Sequence, residues 1–253
     1  MKAFLVLVVV ILAVGAGSAC RNAPDRADDA GASIAARGSI GGRVRLSGPV
    51  PDNAPIRMRA DPMCDRVNNG QRVLDEVFSV GADNGLANAF VQLLGDFPDT
   101  AAPEAPVTID QRGCVYRPRV VGLRQGQPLA IRNSDPGLHN VHGVSKSKYE
   151  FNVGQPVAGL TNVFRPKEPG ILELKCDVHT WMVAFVGVVS HPFFAVTDAS
   201  GGFEMHDVPV GTYDIQAWHE TLGSTTANVR VEANRAVEVE IVMVSHGDQP
   251  PVR

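Results

Sequence analysis

Short runs of alternating apolar and polar residues, separated by turn-forming residues, constrain the fold of this chain more than any other feature. The 253 residues include 25 glycines and 18 prolines, which interrupt the chain too often for long helices. No stretch shows an apolar stripe with helical spacing. The alternating runs predict strands at Arg43–Leu46, Ala89–Leu93, Val107–Ile109, Leu129–Arg132, Ile171–Leu174 and Ala184–Val189. The sequence therefore predicts an all-β protein.

A second set of strand-like runs occupies the C-terminal quarter of the chain. Turn residues at Asp198–Gly201 and Pro209–Gly211 divide it into short strands. Five strands within about 55 residues are enough for a small sandwich. We therefore expect one sandwich over residues 38–190, a smaller one over 191–246 and a disordered tail over 247–253.

The N-terminus has the layout of a secretory signal. Lys2 precedes an unbroken apolar run from Phe4 to Val14, and small residues follow up to Cys20. The run is too short to span a bilayer as a helix, for which about 20 residues are needed. We expect export to the periplasm with removal of residues 1–19, and a flexible tether over residues 20–37. Acylation of Cys20 would make the protein a membrane-anchored lipoprotein, and ordinary cleavage is the alternative.

Charge and cysteine content narrow the function further. A formal net charge of -4 gives no basic field, so binding of nucleic acid is not expected. Export places the cysteines in an oxidising compartment, where disulfides use them in pairs. With Cys20 set aside, Cys64, Cys114 and Cys176 remain, and one of the three must be left over within a single chain. The pairing rule favours a disulfide between Cys64 and Cys114, although either could instead pair with Cys176.

Two short segments carry candidate metal ligands. Cys176, His179 and Met182 place a thiolate, an imidazole and a thioether in one loop between two predicted strands. His139 and His142 end another strand upstream, and only one of them is expected to bind the same ion because residues three apart on a strand face opposite sides. Two imidazoles, one thiolate and a weak thioether suit copper, whereas zinc prefers a fourth strong ligand. A copper site is therefore predicted.

These two segments resemble the ligand loops of the cupredoxins, in particular the amicyanin- and plastocyanin-like blue copper proteins. The resemblance implies a Greek-key β-sandwich that binds one type 1 copper ion through His139, Cys176, His179 and Met182. It also implies that Asn140 ties the two ligand loops together. For Met182 the alternative is packing in the core, which is the commoner use of methionine.

The C-terminal part resembles a different module. Asp198–Phe203 followed by Val208–Tyr213 is similar to the carboxypeptidase regulatory-like, transthyretin-type sandwich. This resemblance implies a small β-sandwich with a structural or adhesive role. His191 and the run Trp218–Glu220 could belong to a second metal site or a docking surface, but such residues at strand ends more often cap a small core.

The expected function is the transfer of single electrons between periplasmic redox proteins, since copper held by a rigid sandwich changes oxidation state with little movement. His139 is expected to lie inward and His179 nearer the surface, where it would offer the route for the electron. Pro136, Leu138 and Trp181 are expected to form an apolar rim where a redox partner docks transiently. No nucleophile elbow or phosphate loop indicates an enzyme. The alternatives are copper storage or delivery, and an adhesion or carbohydrate-binding sandwich without a redox metal.

Overall fold

A computed structural model describes residues 36–146 and 150–247. Within these ranges nearly all regular structure is strand, which confirms the predicted all-β class. The helical segments there are a short α-helix of six residues, α1 (Pro62–Val67), and two 3-10 turns, Met58–Ala60 and Ala82–Asn84. The strands are β1 (Arg37–Ser47), β2 (Phe90–Leu94), β3 (Val107–Gln111), β4 (Tyr116–Arg117), β5 (Val120–Arg124), β6 (Leu129–Asn133), β7 (His139–Ser145), β8 (Glu150–Gln155), β9 (Thr161–Phe164), β10 (Gly170–Lys175), β11 (Val183–Val189), β12 (Phe194–Val196), β13 (Gly202–Pro209), β14 (Gly211–His219), β15 (Gly223–Val231) and β16 (Ala236–Val244).

Several predicted segments lie outside the described residues. They are the signal peptide (residues 1–19), Cys20, most of the tether and, except for Gly247, the C-terminal tail. Among the helices that the structure does describe, none has the length and apolar character needed to cross a membrane.

The strands form four sheets that pair into two sandwiches. Sheets β13-β1-β16 and β12-β2-β14-β15 enclose one apolar core, and we call these seven strands the framework sandwich. Sheets β5-β11-β10-β7-β8 and β4-β3-β6-β9 enclose a second core. Because these nine strands lie in sequence between β2 and β12, we call them the inserted sandwich. Side chains alternate in the expected way, so that Ile241 and Met243 of β16 are buried while their neighbours are exposed.

The strand pairing differs from the grouping predicted from sequence. β1 and β2 lie in the segment assigned to the first sandwich, residues 38–190, but β1 pairs with β13 and β16, and β2 pairs with β12 and β14. The physical reason is that alternation shows which face of a strand is buried and not which strand lies beside it. Since β2 and β12 are direct neighbours, the inserted sandwich emerges from between two paired strands.

A third apolar cluster joins the two sandwiches. Phe90 from β2 and Phe185 and Val189 from β11 are buried in it. Gly187 of β11 allows the Phe90 ring to lie directly on the strand, because a Cβ at this position would overlap the ring. β11 is therefore buried on both faces, which explains why its sequence is apolar throughout.

A buried ion pair also joins the sandwiches. The Arg119 guanidinium donates to Glu220 from Nε at 2.5 Å and from Nη2 at 2.8 Å, and its Nη1 donates to Asp75 at 2.9 Å. Burial opposes the charge on Arg119, but the two carboxylates outweigh it and raise its pKa above the usual value. From the sequence, Glu220 was a candidate for a docking surface or a second metal site. In the structure it helps to hold the two sandwiches together.

Candidate metal centre

The candidate ligands lie at one end of the inserted sandwich, where two neighbouring strands meet their loops. His139 is the first residue of β7, and Cys176 directly follows β10. Because β7 and β10 are antiparallel neighbours, the start of one lies beside the end of the other. The chain then turns back into β11, and the amide of Met182 closes this turn by donating to the carbonyl of His179 at 2.9 Å. Sheet geometry thus brings the two predicted ligand loops together.

Three donor side chains converge at this point. The Nδ1 atoms of His139 and His179 are 3.0 Å apart, and Cys176 Sγ lies 3.9 Å from His179 Nδ1. All three side chains are buried, and Cys176 is a free thiol. A metal ion about 2.0–2.1 Å from two nitrogens at a tetrahedral angle would hold them roughly 3.3 Å apart. The two imidazoles therefore need only a small adjustment to share one ion with the thiolate.

Met182, the fourth predicted ligand, is fully buried in the same apolar cluster as Cys176. Its neighbour Trp181 donates from Nε1 to the carbonyl of Cys114 at 2.9 Å, and its ring centroid lies 5.1 Å from that of His179. Burial of Met182 agrees with both uses considered from the sequence, core packing and axial ligation. Its role as a ligand stays a prediction.

Asn140 joins the two ligand loops. Its backbone amide donates to Cys176 Sγ at 3.5 Å, and its Oδ1 accepts from the amide of Asp177 at 2.6 Å. Its Nδ2 donates to Asp177 Oδ2 at 2.9 Å and to Asn152 Oδ1 at 2.8 Å. These contacts are of the kind that the sequence resemblance implies for this position. They fix the Cys176 loop to the start of β7.

His142 is not one of the converging donors. Its Nδ1 lies 2.9 Å from Asp177 Oδ1, and its Nε2 lies 3.1 Å from Glu150 Oε1. The hydrogen bond with Asp177, supported by Glu150, raises the pKa of His142 above its usual value. This placement agrees with the expectation that only one of the two upstream histidines faces the centre.

Each histidine of the centre also bonds a carboxylate through its outer nitrogen. His139 Nε2 lies 3.0 Å from Asp135 Oδ2, and His179 Nε2 lies 3.1 Å from Asp61 Oδ2. Metal-binding histidines commonly donate their second ring N–H to a carboxylate, which directs the other nitrogen to the metal. Neither carboxylate was among the site residues predicted from the sequence. Asp135 precedes His139 by only four residues and could have been found, whereas Asp61 is 118 residues from its partner.

The electrostatics of the centre favour a thiolate. Burial opposes a charge on Cys176, but hydrogen bonds from His139 and His179 outweigh it and lower the pKa of the thiol to about 6. Burial also opposes protonation of His139, but its bonds to Asp135 and Cys176 raise its pKa to about 9. The hydrogen bond from His179 is the main cause that lowers the pKa of Asp61. Near neutral pH, Cys176 is therefore in the form in which cysteine binds metals.

Cys64 and Cys114, the pair favoured by the cysteine count, are joined by a disulfide. The disulfide links α1 to the loop before β4 and lies against the centre, since both sulfurs and a ring nitrogen of His179 are within 4.8 Å of one another. Because each sulfur is bonded to the other, neither is a thiolate donor. Among the described cysteines, Cys176 is therefore left as the thiol that can bind the ion.

His179 is not at the surface, contrary to the expectation from sequence. It is only 2% exposed, because Asp61 and the start of α1 cover its outer nitrogen. This covering segment belongs to the long connection between β1 and β2, whose position the sequence did not indicate. Of the expected apolar rim, Pro136 and Leu138 are exposed and Trp181 is partly buried.

Two other histidines considered from the sequence are core residues. The ring of His191 packs against Phe97, with centroids 4.6 Å apart, and burial lowers its pKa below the usual value. His219 donates from Nε2 to the carbonyl of Val77 at 3.0 Å, and burial lowers its pKa to about 4. Both therefore have the structural use that the sequence favoured.

Comparison with known proteins gives partial structural matches. No family model and no curated protein matches the chain. A purple cupredoxin from Nitrosopumilus maritimus is similar over 32% of this chain and 98% of its own, with 20% identity and a TM-score of 0.29. A variant of amicyanin in its reduced Cu(I) form is similar over 39% of this chain and 98% of its own, with 18% identity and a TM-score of 0.31.

A copper-containing nitrite reductase from Thermus scotoductus is similar over 40% of this chain but only 26% of its own, with 18% identity and a TM-score of 0.33. The likeness of the C-terminal strands to the carboxypeptidase regulatory-like module stays a prediction from sequence.

Proposed function

We propose that this protein is an exported type 1 copper protein that carries single electrons between periplasmic redox partners. The observation that carries the proposal is the convergence of His139 Nδ1, His179 Nδ1 and Cys176 Sγ in a buried centre. Two histidines and one thiolate, with a weak methionine thioether alongside, form the ligand set of blue-copper electron-transfer sites. Copper bound there would supply a one-electron couple.

The protein's own side chains hold these donors in place. Asp135 orients His139, and Asn140 fixes the loop of Cys176 through contacts with its sulfur and with the next amide. Both loops continue into paired strands of one sheet. Because the folded protein already holds these donors in place, electron transfer would need little reorganisation of the protein. This is the general advantage of preorganised polar sites.

The proposed role also includes location and partners. Pro136 and Leu138 are exposed in the loop that leads into His139, and an exposed apolar patch beside a redox centre suits transient docking of a redox partner. A lipid on Cys20 would hold the protein at a membrane surface. As a carrier, the protein would not itself act as an enzyme.

Copper binding tests the centre directly. Cu(II) added to the purified metal-free protein should produce intense visible absorption from thiolate-to-copper charge transfer, at one ion per chain. Cys176→Ser should abolish this absorption. His142→Gln is the matched control, since His142 lies on the same strand as a proposed ligand and bonds only carboxylates. Colour that survives in the serine variant, or is lost in the control, would show that the ligands are misassigned.

Electron transfer needs a separate test. The copper-loaded protein should show a reversible one-electron couple and fast self-exchange between its oxidised and reduced forms. Leu138→Lys should slow electron transfer to redox partners and leave the visible absorption unchanged. Irreversible electrochemistry combined with ready release of copper to a metal-free acceptor would favour delivery of copper instead.

A further inference from the structure

Asp61 contacts the metal centre from a separate part of the chain and uses its two oxygens differently. Oδ2 lies 3.1 Å from Nε2 of His179. Oδ1 accepts hydrogen bonds from the backbone amides of Met63 at 2.7 Å and Cys64 at 3.2 Å, and so caps the start of α1. Because Cys64 is also bonded to Cys114, the segment that carries Asp61 is held both by the cap and by the disulfide.

Capping alone does not account for an aspartate here. Asparagine and serine cap helices about as well as aspartate, and one acceptor oxygen is sufficient for that role. The second oxygen serves His179, whose outer nitrogen is buried and bonds to this carboxylate. Without Asp61, the N–H of a nearly fully buried ring would lose this acceptor. The carboxylate therefore acts on the metal ligand as well as on the helix.

We propose that Asp61 is a positioning residue of the centre, and this inference rests on the copper site proposed above. Its carboxylate holds the His179 ring with Nδ1 turned toward the other donors, and its negative charge favours the oxidised form of the bound ion. One-electron reduction lowers the charge of the ion from +2 to +1, and Asp61 exchanges no proton in the process. Since a nearby anion stabilises the higher positive charge more, Asp61 lowers the reduction potential.

The variant that separates the two roles is Asp61→Asn. Asparagine can keep the helix cap through Oδ1, but it removes the charge and turns an amide donor toward the N–H of His179. Asp65→Asn is the matched control because it removes one negative charge from the same helix. Asp65 is 38% exposed and pairs with Arg59, not with a ligand. A difference between the two variants therefore reports on the contact with His179 and not on the net charge of the segment.

The copper-loaded variants should differ in midpoint potential. Loss of a carboxylate behind a metal ligand typically weakens metal binding about 10–100-fold. If a tenfold loss of affinity applies mainly to the oxidised ion, the midpoint potential of Asp61→Asn rises by about 59 mV for one electron. The midpoint potential of Asp65→Asn stays at the wild-type value. Equal potentials in the two variants, with blue absorption intact in both, would overturn the proposal and leave the proposed function standing.

A readout without copper tests the geometry independently. In NMR spectra of the metal-free protein, the Nε2 proton of His179 should exchange slowly with water because it is buried and bonded to a carboxylate. This slow exchange should be lost in Asp61→Asn and kept in Asp65→Asn. Rapid exchange in the wild-type protein would contradict the proposal. If the wild-type protein shows slow exchange but binds no copper, the proposed function is wrong, and the predicted effect on the reduction potential is wrong with it. Should Asp61→Asn fold poorly, Asp61→Ser provides the same comparison with a different capping side chain.

Discussion

Acidification is expected to destabilise the framework sandwich through one buried histidine, His219. The ring is 1% exposed, donates from Nε2 to the carbonyl of Val77 and accepts from the amides of Thr221 at 3.3 Å and Leu222 at 3.4 Å. Both nitrogens of the neutral ring are therefore used. Burial, helped by the nearby charge of Arg119, lowers the pKa of His219 to about 4, compared with 6.5 for an ordinary histidine.

The direction of the effect follows from these two values. Below pH 6.5 the unfolded chain takes up a proton at His219 that the folded protein does not bind, so the free energy of unfolding falls as the pH falls. The loss continues until the folded protein is also protonated, near pH 4. At pH 5, roughly 1.5 pH units below the unfolded value, it amounts to about 2 kcal/mol.

Denaturation by guanidinium chloride at pH 7 and pH 5, followed by tryptophan fluorescence, measures this loss. His219→Gln can still donate to the carbonyl of Val77 but takes up no proton in this range. Between the two pH values, the wild-type protein should lose about 2 kcal/mol more than this variant. His206→Gln, at a histidine that is 69% exposed in the same sandwich, should behave like the wild type. Equal losses in the wild type and in His219→Gln would refute the reasoning.

Two further substitutions test the contact between the sandwiches by the same denaturation assay. Gly187→Ala should lower the free energy of unfolding by about 1–3 kcal/mol, because the added methyl group overlaps an aromatic ring. Gly154→Ala, where an added Cβ meets no atom within 4 Å, should change it little, and equal effects would show that the close contact is unimportant. Arg119→Met should cost about 3–5 kcal/mol, because it leaves Glu220 buried without its cation. Arg43→Met removes an exposed ion pair and should cost no more than about 1 kcal/mol; comparable losses would argue against the buried pair.

Local sequence patterns predicted the strands and the ligand loops because each depends on residues close together in the chain. The alternation in Arg43–Leu46 and the spacing of Cys176, His179 and Met182 are visible without knowledge of distant contacts. The cysteine count also favoured the pair Cys64 and Cys114, since pairing follows from parity once Cys176 is assigned to the metal.

Contacts between distant segments could not be predicted in the same way. β1 shows a buried face in the sequence, but nothing local indicates that it pairs in parallel with β16 near the other end of the chain. Asp61 looks like an ordinary helix cap before Pro62, and its contact with His179 depends on how a long connection folds back. Burial of His179 could not be inferred without that contact, so its expected exposure was wrong.

The position of the inserted sandwich between two paired strands restricts the order in which the chain can fold. The strands of this sandwich are contiguous in sequence, so the contacts among them can form as soon as the chain has been synthesised as far as β11. β1 and β2, by contrast, must wait for β12 to β16, which come last. A chain cut after Val189 would leave β1 and β2 with unpaired edges, which favours aggregation. The two sandwiches therefore differ in how the chain encodes them. Among the described residues, only the inserted sandwich takes all of its strands, β3 to β11, from one uninterrupted stretch of chain.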